Sequence, residues 1–505
     1  MTHVSELPLA GQLSHLMPYL LMVGGGMLVM LVDSFVKSLR KEHLSMLTLL
    51  VLLGVAVSLS TGRNSIASIG LFNGMVTHDQ FAWFFNLLFV AIALLTTTFA
   101  SGLYDRDGRY RAEFYPLVLF GTTGMMLLTA ATDLMSVFLA IELMSLAVYV
   151  LVSGNRGSLR SSEAGFKYLI LGAFSSAFLL MGMALLYGQA GGTSYAAIGE
   201  ALARVGHDGM MMKIASGLIL IGFSFKIALV PFHMWTPDVY DGAPAYVTGF
   251  MATGVKAAAF AALLRFAWLT LPLLADVWFP LLAVLSVLTM TLGNVVALSQ
   301  SSIKRMLAYS SIAHAGYLML GMLAFIQTGR RGFDSVLGQS VGEAAGGAIL
   351  FYLVGYALMN LGAFGIVAYL SRSRAQEADS ISGYAGLAQR RPFAAAALAI
   401  FMFSLAGIPP SVGFIGKFYI FDAVVKAGLI PLAIWGVVNS LISVYYYLRV
   451  VLTMYMKPAG DESYDGGSWE MVFAAGMLAL AVIILGVIPG RLYELASVTF
   501  RSLSF

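Results

Sequence analysis

The apolar residues of this chain gather in long unbroken runs, not in alternation or one-sided stripes. Runs of about 18 residues or more are the mark of helices solvated by lipid. Fourteen are read: 16–36, 44–59, 81–103, 114–131, 134–152, 164–187, one starting near 214, 245–269, 277–299, 307–326, 344–370, one starting near 393, 429–455 and 471–488. The seventh is interrupted at Pro231 and the twelfth at Pro409 and Pro410. Proline cannot donate to the helix ladder and clashes with the preceding turn, so spans seven and twelve are expected to be discontinuous. The pattern predicts an all-α polytopic membrane protein of about 14 transmembrane helices, with residues 1–505 forming one transmembrane domain. The stretches 188–212, 371–391 and 457–470 are polar but short, and read as loops. Residues 1–12 lack the basic region of a cleaved signal, so the first span is read as a retained helix.

Composition narrows the function. Of 505 residues, 59% are hydrophobic and 11% charged, against roughly 25% charged in soluble domains. The net charge of +4 is small and scattered, which excludes a nucleic-acid surface. Cysteine is absent, which excludes disulfides, iron–sulfur clusters and thiolate metal sites in this chain. Only His233 and His314 lie in or beside apolar runs, so neither a bis-histidine haem nor a histidine-rich metal site is expected. No cofactor is expected in this chain, and any associated redox chemistry is expected in other chains.

An even number of spans places both termini on one side. With the N-terminus outside, inward loops and span ends carry 16 Lys and Arg, among them Arg160, Lys167, Lys304 and Arg305, against 8 outside. The excess of positive charge inside favours both termini on the outer side.

The informative residues are ionisable groups at membrane depth. A charge at the centre of a span costs at least about 2.5 kcal/mol on insertion scales, and such residues by default mark a transport pathway. Glu142 lies near the middle of span five, and Lys226 five residues before Pro231. Lys256 is about three turns into span eight and His314 about two turns into span ten. Lys417 follows the Pro409-Pro410 break. Together they read as a proton relay of one carboxylate, three amines and an imidazole. The competing readings are static: a structural carboxylate at 142, a fixed salt bridge at 226, a lysine at 256 reaching for the surface, and a hydrogen-bonded core histidine at 314. Asp133 is expected to cap span five. Asp33, Arg265 and Arg449 sit near span ends and read as anchors.

In span seven the lysine precedes its break; in span twelve it follows. That mirror arrangement is a signature of inverted repeats. Spans four to eight (114–269) and nine to thirteen (277–455) are expected to form the two halves.

Three motifs carry a resemblance. They are Pro231-Phe-His-Met-Trp-Thr-Pro-Asp-Val-Tyr-Asp-Gly-Ala-Pro244, Ser301-Ser-Ile-Lys-Arg-Met-Leu-Ala-Tyr-Ser-Ser-Ile-Ala-His-Ala-Gly-Tyr317 and Ala406-Gly-Ile-Pro-Pro-Ser-Val-Gly-Phe-Ile-Gly-Lys417. With about fourteen spans, the chain resembles over nearly its whole length the antiporter-like subunits of respiratory complex I and their relatives, the multisubunit cation/proton antiporters. Within that family it is most similar to the subunit N branch of bacterial NADH–quinone oxidoreductases. Lys417 argues against the branch with glutamate there, and the chain stops after span fourteen, without the long lateral helix of another. The resemblance implies that Glu142 and Lys226 are the paired groups of spans five and seven. It implies that Lys256 is the central lysine, His314 the span-ten histidine and Lys417 the terminal lysine.

The resemblance further implies a proton-translocating subunit driven by quinone reduction in other subunits. Expected partners are the other membrane subunits of complex I, the lipid bilayer and protons, in a bacterial inner membrane. Two alternatives stay open: a subunit of a sodium/proton antiporter or hydrogenase complex, and a stand-alone transporter of an organic solute. The second is disfavoured by three lysines at depth.

Overall fold

The computed structural model describes residues 9–36, 41–61, 69–101, 113–155, 157–205, 209–330, 336–371, 379–459 and 468–503. The long apolar runs are helical, as lipid requires of any backbone whose polar groups must bond within the segment. The first group is α1 (Leu9–His15), α2 (Met17–Phe35), α3 (Lys41–Thr61), α4 (Gln80–Ser101), α5 (Phe114–Ala130), α6 (Leu134–Val152) and α7 (Leu159–Ala190). Next come α8 (Tyr195–Val205), α9 (Met210–Ile227), α10 (Thr236–Gly242), α11 (Ala245–Phe250) and α12 (Lys256–Leu298). Then follow α13 (Ile303–Arg330), α14 (Val336–Ser371), α15 (Leu387–Arg390), α16 (Pro392–Ala406) and α17 (Val412–Lys426). The last are α18 (Ile430–Met456), α19 (Trp469–Val487) and α20 (Gly490–Arg501).

Among the described residues, twelve helical segments are long and apolar enough to cross a bilayer, against about fourteen expected. The difference lies in spans four and twelve. Helix α5 has 17 residues, and span twelve is divided into α16 and α17 of 15 residues each. The connection expected between spans eight and nine is instead helical, because α12 runs through residues 269–277 without a break.

Helices that are apolar all round belong at the centre of a bundle. The best apolar window of Ala245–Trp268 is wholly buried, and that of Ile303–Thr328 is 94% buried, whereas that of Met17–Phe35 is only 33% buried. So α11, the first part of α12, α13 and α14 form the heart of the protein, and α2, α3 and α19 present apolar faces outward. Small residues let the central helices close up. A Cβ added at Gly293 of α12 would stand 2.7 Å from the Ala313 nitrogen of α13.

Two features were not read from the apolar runs. Ile69–Leu71 (β1) and Val76–His78 (β2) form an antiparallel hairpin. Its turn places Phe72, Asn73 and Gly74 at positive φ, and the Asn-Gly pair is a turn signal in the sequence. The hairpin docks on the entrance to α6, where Thr132 Oγ1 donates to the Gly74 carbonyl at 2.7 Å. The polar stretch 188–212, expected as a loop, contains α8.

Candidate functional site

Helix α6 starts where Asp133, in extended backbone, accepts from Met135 N at 2.8 Å, as expected of a cap. Its residues Glu142, Ser145 and Tyr149 recur at helical spacing and so share a face. The Glu142 carboxylate accepts from Ser176 Oγ of α7 at 2.5 Å. Lys226, near the end of α9, donates to Ser145 Oγ at 2.7 Å and Tyr149 Oη at 3.3 Å. Lys226 thus meets α6 beyond Glu142, and among the described residues no direct ion pair joins the two.

Lys226 is followed at once by the break. Helix α9 ends at Ile227, four residues ahead of Pro231, with Ala228 in the left-handed region. The freed groups find partners inside the protein, the only arrangement tolerated at depth away from water. Leu229 N donates to Ser224 O, the Trp235 indole to Phe225 O at 3.1 Å, and Val230 N to Thr289 Oγ1 at 3.0 Å.

Lys256 opens α12 directly after a π-helical turn at Met251–Val255. Such turns are rare and concentrate at functional sites. Its ammonium donates to both the carbonyl and the hydroxyl of Ser311 on α13, each at 2.5 Å, and lies 5.6 Å from the Tyr356 ring centre.

One turn further along α13, His314 is held at both ring nitrogens. Nδ1 bonds Tyr352 Oη at 2.5 Å and Nε2 bonds Tyr447 Oη at 3.1 Å. Tyr447 also bonds Ser310 Oγ. Another turn on, Tyr317 places its ring 5.2 Å from Lys417 Nζ. Ser311, His314 and Tyr317 are spaced by three residues, so one stripe of α13 runs from Lys256 to Lys417.

At the second break, α16 ends at Ala406 with Gly407 at φ 85°, and Ser411 caps α17 by accepting from Phe414 N. Positive φ is readily open only to glycine. Lys417 folds back across the gap and donates to Leu405 O at 3.0 Å, Ala406 O at 3.1 Å and Ser440 Oγ at 3.0 Å. A cation at a helix C-terminus opposes the negative end of its dipole.

The four basic groups are interior: Lys226 is 3% exposed, Lys256 2%, His314 1% and Lys417 4%. Glu142 is half-buried. The sequence singled out these five but not their partners Ser145, Tyr149, Ser176, Ser311, Tyr352, Ser440 and Tyr447. The helical spacing of Ser145 and Tyr149 after Glu142, and of Ser311 before His314, was the available signal. Among the described residues, no group of three or more His, Cys, Asp or Glu could hold a metal.

Arg265, read as an anchor, is wholly buried. It grips Asp79 with Nη1–Oδ2 at 2.6 Å and Nη2–Oδ1 at 3.0 Å, and donates from Nε to Thr129 O at 2.9 Å. Arg449 donates to Leu298 O and Gln300 O. Lys304, counted as a loop cation, is fully buried.

A multi-pass helical bundle with broken helices and buried amines defines a membrane subunit of the ion-translocating class. The chain belongs to the NADH:quinone oxidoreductase/Mrp antiporter transmembrane family, whose family model matches residues 131–443. It is similar to the NADH-quinone oxidoreductase subunit N of Trichlorobacter lovleyi, 45% identical over 98% of each chain. It is 42% identical to the subunit of the same name from Desulfitobacterium hafniense, over 85% of this chain and 86% of that one. Among solved structures it is similar to a chain of respiratory complex I from Thermus thermophilus, 33% identical with a TM-score of 0.78, covering 95% of this chain and 99% of that one.

Proposed function

We propose that this chain is a proton-conducting membrane subunit of a respiratory NADH–quinone oxidoreductase, working beside other membrane subunits of that complex. The observation that carries the reading is the burial of three lysines and a histidine beside two helix breaks, with Lys256, His314 and Lys417 strung along one stripe of α13. NADH oxidation and quinone reduction belong to other chains. This chain's residues hold and move protons.

When the Glu142 carboxylate approaches Lys226, its charge favours the protonated amine. When they separate, the proton is released toward Lys256 and then, past His314, toward Lys417. Ser145 and Tyr149 are the first hydroxyls in reach of Lys226. Among the described residues, the buried Ser224 and Thr236 hydroxyls have no protein partner, which supports water reaching the surroundings of the Lys226 break.

The two halves, 114–269 and 277–455, are read as inverted repeats, supported by a broken helix with a lysine in each. The charge count supports both termini on the outer side of a bacterial inner membrane.

The test is isolation of the native membrane complex and identification of its chains. Flavin- and iron–sulfur-bearing chains with quinone reductase activity are expected. A complex carrying only antiporter chains and exchanging sodium for protons would overturn the reading in favour of the antiporter alternative.

A further inference from the structure

At one end of the bundle lies a cluster of charges that the relay does not use, centred on the seven-residue helix α10. Asp238 is shared: Lys167 of α7 donates to its Oδ2 at 3.0 Å and Arg305 of α13 to its Oδ1 at 3.0 Å. Asp241 pairs with Arg160 of α7 at 2.5 Å and accepts from Ser302 at 2.7 Å. Lys304 donates to the Ala243 carbonyl just past α10 at 3.0 Å and lies 3.5 Å from Asp379. Asp379 is in turn 3.5 Å from Arg160. Cations from α7 and α13 therefore both grip α10, around a polar pocket of about 160 Å³.

The same short segment touches both halves of the relay. Trp235, immediately before α10, donates to Phe225 O, the carbonyl next to Lys226, and stacks on Tyr168 with ring centres 4.4 Å apart. Tyr168 meets Tyr149, an acceptor of Lys226, at 4.7 Å. Tyr240, buried on α10, packs edge-on against Trp235 with ring centres 6.1 Å apart. The Tyr240 carbonyl also accepts from Thr248 of α11 at 3.0 Å, tying α10 to the helix that leads into the π-turn and Lys256.

We propose that Asp238 is a positioning residue for Lys226 and Lys256: its bridge between Lys167 and Arg305 helps fix α10, which reaches Lys226 through Trp235 and the helix leading into Lys256 through the Tyr240 carbonyl and Thr248. The proposal rests on the relay reading. A helix of two turns has little stability of its own, so its place is set by what grips it. Loss of the shared carboxylate leaves Lys167 with Glu163 at 2.7 Å and Arg305 with Asp241 at 3.9 Å, so α10 keeps its Asp241 and Ala243 ties but gains room to shift.

The experiment measures proton pumping at matched quinone reduction in the assembled complex carrying Asp238→Asn, with Asp238→Glu and Lys226→Ala alongside. Asp238→Asn is expected to slow coupled pumping about two- to thirty-fold, the range of a positional coupling, with assembly intact. Asp238→Glu is expected to restore it. Normal pumping in assembled Asp238→Asn, with Lys226→Ala defective, overturns this proposal and leaves the relay standing. A loss that only follows loss of assembly, unrescued by glutamate, also overturns it. Normal pumping in Lys226→Ala strikes the relay reading itself.

Discussion

The Lys417 ammonium donates to the Leu405 carbonyl at 3.0 Å, so this lysine of α17 neutralises the end of the very helix, α16, whose break precedes it. Lys417 is therefore both a buried cation and the cap of a helix terminus. Lys417→Met removes the donor to two carbonyls. Each buried carbonyl left unsatisfied costs about 1–3 kcal/mol. The variant is expected to melt several degrees lower in detergent, whereas Lys417→Arg, which keeps the charge, is expected to lose less. Equal melting of Lys417→Met and the parent would show that the carbonyls are satisfied without the amine.

Ser145 is the nearest acceptor of Lys226. A hydrogen bond to a charged group contributes about 1.5–3 kcal/mol. Ser145→Ala is expected to reduce coupled pumping about tenfold or more. Ser145→Thr, which retains a hydroxyl, is expected to keep most of it. Proton uptake by complex-bearing vesicles is the readout.

Gly172 makes room for the Tyr149 hydroxyl: a Cβ there would stand 1.9 Å from it. Gly172→Ala is expected to push Tyr149 off Lys226 and depress pumping while the complex still assembles. Adding Tyr149→Leu relieves the collision but not the lost acceptor, so the double variant should pump no better than Tyr149→Leu alone. Full activity of Gly172→Ala would contradict this geometry.

Asp79 and Arg265 form a wholly buried pair. Removing one partner of such a pair strands a charge, at a cost of about 3–5 kcal/mol. Asp79→Ala is expected to reduce the amount of assembled complex sharply. Replacing both residues with apolar ones is expected to recover much of that loss. Native gels of solubilised membranes give the comparison.

Burial raises the Asp238 carboxyl, but bonding to Lys167 and then Arg305 outweighs it and holds the group below the usual carboxylate value. A depressed folded value means that the stabilisation is fully present above the unfolded value of about 3.9 and is lost as pH falls through the lower folded value. Acid melting curves of the parent and Asp238→Asn should therefore converge below about pH 4. A gap between them that persists unchanged would refute the sign.

Much of the bundle was legible because a bilayer allows so few backbone solutions. Apolar run length found the spans, and proline found both broken regions. In each case, however, the helix stops earlier, at Ile227 and Ala406, where left-handed Ala228 and Gly407 end it. Glu142, Lys226, Lys256, His314 and Lys417 stood out because lipid rejects charge. Their partners did not, since a serine or tyrosine in an apolar run costs little and signals little. The hairpin was missed because three-residue strands leave almost no pattern, and the role of Asp238 because its partners, Lys167 and Arg305, are 71 and 67 residues away.

The central claim is that the buried amines carry protons. Its most direct test is the number of protons pumped per electron by the assembled complex in sealed vesicles with Lys256→Met, a side chain of similar length that cannot hold a proton. The relay account predicts an assembled complex whose pumping per electron falls well below the parent's. Pumping per electron equal to the parent's would contradict it.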